Sequence, residues 1–166
     1  QLKAFHQGGA SQSTPINSVG ILTKTDATGI WDITQDRTPV EAASSVADSI
    51  MNDVNMKRLV YATFPVCAKA VEGYSSLQEE DWDSLKKLAA VSRNELVDLL
   101  FDAEIFAVSD DDYFMEFGNP AVRSRLINAL GQYGIMEICQ QLSMGTDVNE
   151  MKQVLSQRCG ITKVRD

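Results

Sequence analysis

Ser18-Val19-Gly20-Ile21-Leu22-Thr23-Lys24-Thr25-Asp26 is the stretch on which the fold turns. Its apolar run, Ser18 to Thr23, gives way abruptly to charged residues. Upstream lies Gly8 to Asn17, a small, polar, turn-prone segment that reads as a loop. A short apolar run so bounded fits a strand of a parallel sheet, buried on both faces. Leu59-Val60-Tyr61-Ala62-Thr63-Phe64 is rich in β-branched and aromatic residues and is stopped by Pro65, which predicts a second strand. Between them, Thr38-Pro39-Val40-Glu41 carries three helix-start signals: a cap, a first-position proline and a capping-box glutamate. Ala43, Val46, Ala47, Ile50 and Met51 follow at helical spacing, and Asn52-Asp53 ends the helix. Strand, helix, strand within about 50 residues is a βαβ unit with parallel strands.

Beyond Tyr74 the pattern turns helical. Leu77 to Val91 is amphipathic, with Trp82, Leu85, Leu88 and Ala89 on one face. Ser92-Arg93-Asn94-Glu95 is a capping box leading into Leu96, Leu99, Leu100 and Phe101. Val108 to Gly118 reads as a loop. Asn119-Pro120 starts a helix that carries Val122, Leu126, Ile127 and Leu130 and stops near Gly131. Ile135 to Met144 and Asp147 to Arg158 complete the series, ended by Gly145 and Gly160. The expected fold is α/β but mostly helical: a short parallel βαβ unit in residues 1–75, then a bundle-like helical region in residues 76–166. Gln1 to Gln7 resembles the end of a helix. Two parallel strands alone make a poor sheet, so neighbouring strands are expected outside the chain. An open sheet edge also predicts a homodimer.

Composition narrows the function. With 166 residues, 44% hydrophobic and 23% charged, the chain is ordinary globular protein. Its formal charge of -8 disfavours nucleic acid as a partner. The single histidine, His6, sits in the leading segment, a poor anchor for a catalytic triad. HExxH and CxxC zinc sites are absent, and Asp110-Asp111-Asp112 lacks the spacing of a calcium loop. Cys67, Cys139 and Cys159, odd in number and widely spaced, read as reduced thiols of a cytoplasmic protein. The opening residues do not read as a signal peptide.

Chemistry gathers at the two strand ends. Thr23-Lys24-Thr25-Asp26 stands at the carboxyl end of the first strand, where α/β folds place ligands. A carboxylate accepts two hydrogen bonds at once, and guanine offers N1–H and a 2-amino group side by side. Adenine lacks that donor pair, so Asp26 discriminates. The stem of Lys24 suits the face of the base, and Thr23 suits tying the loop. Cys67-Ala68-Lys69 follows the second strand about 40 residues later. It matches a small-Ala-Lys loop that presents a backbone N–H to guanine O6.

With these two motifs the chain resembles the guanine-binding half of a G domain. Val19 to Asp26 is similar to the strand and base motif of dynamin-type GTPases, which favour threonine at the first motif position. Leu88 to Leu96, Arg123 to Gly134 and Leu155 to Ile161 resemble the helical region after the G domain in actinobacterial dynamin-like GTPases of the isoniazid-inducible type. The similarity covers most of residues 15 to 166, at scattered small and apolar positions. It implies guanine-binding roles for Thr23, Lys24, Asp26, Cys67, Ala68 and Lys69. It also implies GTP or GDP and magnesium as cofactors of a full-length parent GTPase, and peripheral membrane association through parts not present.

The sequence departs from that family at the phosphates. A GTPase needs a GxxxxGK[ST] loop, and none of the 10 glycines here precedes a lysine. The switch threonine and the DxxG metal motif are expected before Gln1. The start at Gln1 therefore predicts a piece of something longer, without cofactors or hydrolysis of its own. The competing expectation is a non-enzymatic helical interaction or regulatory module. In one version Asn119–Leu130 and Ile135–Met144 form a helix-turn-helix with Arg123 and Arg125 as its bases. Trp31, Tyr74 and Trp82 are expected as core or hinge residues and not as base-stacking platforms.

Overall fold

The computed structural model describes residues 18–27 and 29–165. The expectations for Gln1 to Gln7, His6 and Gly8 to Asn17 lie outside the described residues. Strand β1 (Val19–Leu22) pairs in parallel with β2 (Ala62–Pro65), with Val19 opposite Ala62 and Leu22 opposite Pro65. Tyr61 N–H donates to Ser18 O (2.8 Å) ahead of the ladder. Pro65 has no N–H, so the Val66 amide donates to Leu22 O (2.8 Å) and the ladder ends. The second strand starts later than its composition suggests. A 3₁₀ turn at Met56–Arg58 draws the Leu59 and Val60 amides onto Met56 O (2.8 and 3.0 Å).

Helix α1 (Pro39–Asn52) crosses between the strands and packs against β2. Its capping box forms: Glu41 N–H donates to Thr38 Oγ1 (3.2 Å) and Thr38 N–H to Glu41 Oε2 (2.7 Å). The Thr63 hydroxyl turns toward this helix and donates to Met51 Sδ (3.3 Å). Two expectations are corrected here. Val19 (50% exposed) and Ile21 (53%) show that β1 is not buried on both faces, because the crossing helix packs chiefly on β2. On α1 the buried stripe runs through Val40, Ala43 and Ala47, leaving Val46 exposed on the flank.

The remaining chain is helical: α2 (Lys69–Tyr74), α3 (Glu79–Ala90), α4 (Arg93–Phe101), α5 (Ala103–Val108), α6 (Asp112–Met115), α7 (Pro120–Ser143), α8 (Val148–Arg158) and α9 (Thr162–Arg165). Ser92, Asp102, Asp111, Asn119 and Asp147 cap α4 to α8, each side chain accepting from a first-turn amide, while at the start of α3 the Gln78 amide donates to Asp81 Oδ2 (2.8 Å). Helix α7 is the hub, packing against α2, α3, α5 and α8. Gly131, at φ 67 and ψ 173, breaks it into the two segments that the sequence suggested. The expected loop between Val108 and Gly118 contains the single turn α6. Phe101 is exposed, because α4 ends there and Asp102 starts α5 in a new direction.

One buried apolar cluster runs from Trp31, Cys67 and Ala70 through Leu85, Leu126 and Ile138 to Leu155. It crosses the expected division at residue 75 without a gap. Trp31 is buried edge-to-face on Tyr133 (5.7 Å between centroids), and Tyr74 meets Trp82 likewise (5.5 Å). The helix-turn-helix expectation fails on its arginines. Arg123 is buried between the rings of Phe106 (5.7 Å) and Phe114 (5.6 Å) and donates to Ser109 O. Arg125 is committed to buried Asp81 (2.9 Å) and to Glu80 (3.5 Å). Among the described residues no helix is long and apolar enough to cross a membrane.

Helix α2 lies unusually close to α7. A Cβ added at Gly73 would sit 2.1 Å from Ala129 O, and one at Gly134 would sit 2.8 Å from Ala70 Cβ. Gly73→Ala therefore forces the helices apart and is expected to destabilise the chain by about 1–3 kcal/mol. Gly145 has nothing within 4 Å, so Gly145→Ala costs only left-handed strain, about 1–2 kcal/mol. Urea unfolding midpoints of the two variants measure the difference, together with loss of α2 hydrogen-exchange protection in the first alone.

Candidate functional site

The loop after β1 is built on one strained residue. Lys24 has φ 55, the left-handed region that residues with a Cβ avoid. This turns the chain sharply, and Ala27 N–H closes the turn on Lys24 O (3.0 Å). Ile30 and Trp31 N–H then donate to Ala27 O (3.1 and 3.4 Å). Thr23 and Lys24 are exposed and Asp26 is half-buried. These backbone bonds close the loop, and the threonine held inside is Thr25, fully buried.

The loop after β2 is anchored from the far end of the chain. Cys67 N–H donates to Cys159 O (3.0 Å) at the end of α8. A Cβ at Gly160 (φ +77) would stand 2.5 Å from Pro65 O, so the chain passes here only as glycine. Ala68 is the N-cap of α2 and provides no side-chain cap, and its carbonyl accepts from the Val71 and Glu72 amides (3.0 Å each). Lys69 opens the helix on its exposed side.

The two loops meet. Thr23, Lys24, Asp26 and Ala27 of the first loop and Ala68, Lys69 and Glu72 of the second line one cavity of about 440 Å³. That volume lies within the range of small-molecule sites. The lining carries two ammonium and two carboxylate groups, a balanced charge that suits a polar neutral group better than an anion. A second cavity of about 190 Å³ shares Asp26 and Lys69 and reaches Trp31, Ala103, Ile127, Gly131, Gln132 and Tyr133. A Cβ at Gly131 would lie 3.6 Å from Asp26 Oδ2 and 3.6 Å from Lys69 Nζ, so the break in α7 backs the site.

Of the six residues singled out in the sequence, Thr23, Lys24, Asp26, Ala68 and Lys69 line the larger cavity. Cys67 lies behind it, buried. The neighbouring Cys159 thiol, burial and the Asp26 carboxylate hold the Cys67 thiol far above its ordinary range. It therefore stays protonated, a donor and not a nucleophile. Sequence reasoning missed Glu72, which carries no motif, and Gly131 and Tyr133, which reach the site through the tertiary fold. Burial and the Glu137 carboxylate raise the Tyr133 hydroxyl, which donates to Glu137 Oε2 (3.3 Å). Glu137 also accepts from Gln141 Nε2 (3.0 Å) and pairs with Arg158. Among the described residues no group of three His, Cys, Asp or Glu side chains is placed to hold a metal ion.

No family model, no curated protein and no solved structure matches the chain. The reading of the site rests on its own geometry.

All three cysteines are free and buried, and burial pushes Cys139 up to about 12. The native chain is expected to resist a disulfide reagent at about pH 8, with all three thiols reacting once urea unfolds it. The raised thiols also couple to stability. Their contribution is complete below the unfolded thiol pKa of about 8.5 and is lost progressively as pH rises above it. The urea midpoint should fall between about pH 8.5 and 10.5, with a shallower slope in Cys67→Ala.

Proposed function

We propose that this chain carries the guanine-recognition half of a GTP-binding protein, of the dynamin-like kind, and that its phosphate-binding loop lies outside these 166 residues. One observation carries the reading. Asp26 and the Ala68-Lys69 loop, about 40 residues apart in the chain, line one cavity beyond the carboxyl ends of two paired parallel strands.

The chemistry follows from the groups. Asp26 accepts the N1–H and 2-amino protons of guanine together, a charge-assisted pair that adenine cannot form. A backbone amide of the Ala68-Lys69 loop donates to O6, where adenine carries an amino group and would meet donor with donor. The Lys24 stem lies along the base. Binding is weak, because phosphate contacts, which dominate nucleotide affinity, are missing. Hydrolysis is not expected of this chain, since its sequence holds no GxxxxGK[ST] loop to cradle a γ-phosphate.

NMR titration at millimolar nucleotide tests this directly. GDP should shift the amides of Asp26, Ala68 and Lys69, and ADP should not. Asp26→Asn replaces an acceptor with a donor. It should remove at least about tenfold of the guanine preference and favour xanthosine diphosphate, whose base has a carbonyl in place of the 2-amino group. Identical shifts from GDP and ADP, or none from GDP, would sink the reading. So would a guanine preference that survives Asp26→Asn.

A further inference from the structure

A different surface lies outside the larger cavity. Residues 95–116 hold eight carboxylates and no lysine or arginine, which equals the formal charge of -8 for the whole chain. The rest of the molecule is electrically balanced. The same stretch exposes Phe101 (65%), Ile105 (53%) and Val108 (67%), with Tyr113 and Met115 following on α6. Single exposed apolar side chains are ordinary, but five within fifteen residues of an acidic segment are not.

Helix α5 explains the arrangement. Phe106 and Ala107 are buried as the helix packs on α7, so Ile105 and Val108, three residues apart, present the outer face to water. Phe101 stands at the end of α4 just before it, and Asp98, Asp102 and Glu104 lie alongside in the chain, all exposed. The platform is firmly seated. Gln132 Nε2 donates to Leu100 O (2.7 Å), Ser124 Oγ to Ala107 O (3.1 Å), and Arg123 to Ser109 O.

We propose that this face docks a basic, amphipathic helical segment of a partner protein. Carboxylates around an apolar stripe match cations around apolar anchors at helical spacing. A second copy of this surface would set like charges face to face, and an anionic membrane would be repelled. The proposal is independent of the nucleotide reading.

The probe is a labelled leucine-lysine helix of about 14 residues, with leucines at i, i+3, i+4 and i+7, beside a scrambled peptide of the same composition. Fluorescence anisotropy with the full chain should show the amphipathic peptide binding at least about tenfold tighter than the scramble. Ile105→Ser with Val108→Ser should weaken it at least about tenfold while circular dichroism and the urea midpoint stay unchanged. Glu104→Gln with Asp110→Asn should weaken it and flatten its salt dependence. Equal binding of the scramble overturns the proposal, because attraction would then be charge alone. Insensitivity to the Ile105 and Val108 changes does the same. Sedimentation showing that the chain pairs with itself through this face, or tight binding to phosphatidylserine vesicles, also overturns it.

Discussion

The break in α7 at Gly131 lets one helix serve two partners in different directions. Its first segment buries Val122, Leu126 and Leu130, and its second buries Ile135, Ile138 and Cys139. A left-handed φ of 67 at the join is cheap only for glycine. Helix α2 then presses against α7 on both sides of the break, through Gly73 on Ala129 and Ala70 on Gly134. That close approach fixes where α2 begins, and so where Ala68 and Lys69 stand relative to Asp26. The candidate site is thus positioned by small residues that carry no chemistry of their own.

Buried charge sets the orientation of the other helices. Asp81 is fully buried and binds both Arg125 and the Gln78 amide (2.8 Å), joining the start of α3 to α7. Glu137 gathers Tyr133, Gln141 and Arg158, joining α7 to the end of α8. Such pairs add little net stability after desolvation, but a displaced packing would strand a charge. The end of α8 in turn holds Cys67 through Cys159 O (3.0 Å), so the chain terminus braces the loop beside Asp26.

The parts legible in the sequence were those encoded by contiguous residues. The capping box at Thr38 to Glu41, the cap at Asn119 with Pro120, and the stop at Gly131 all rest on side chains acting within one turn. The parallel pairing of β1 with β2 followed from the helix between them. Helices α2 and α9, of six and four residues, escaped notice because helices this short have no stability apart from what they pack on. The arginines misled for a related reason. Arg123 and Arg125 look like surface cations in one dimension, and only the placement of Phe106, Phe114 and Asp81 shows them as internal fasteners.

By itself the sequence determined the longer helices and the two strands, the carboxyl-end placement of Lys24, Asp26 and Lys69, and the absence of a phosphate-binding glycine loop. These depend on backbone propensity, capping and spacing, which act over a few residues. Only the tertiary structure decided that Asp26 and Lys69 share a cavity, that Glu72 joins them, that Gly131 backs them, and that Ile105 and Val108 face water among carboxylates. Those facts depend on which distant surfaces touch, and close packing settles that through the volumes of residues such as Gly73, Ala129 and Gly134, which no local pattern reveals.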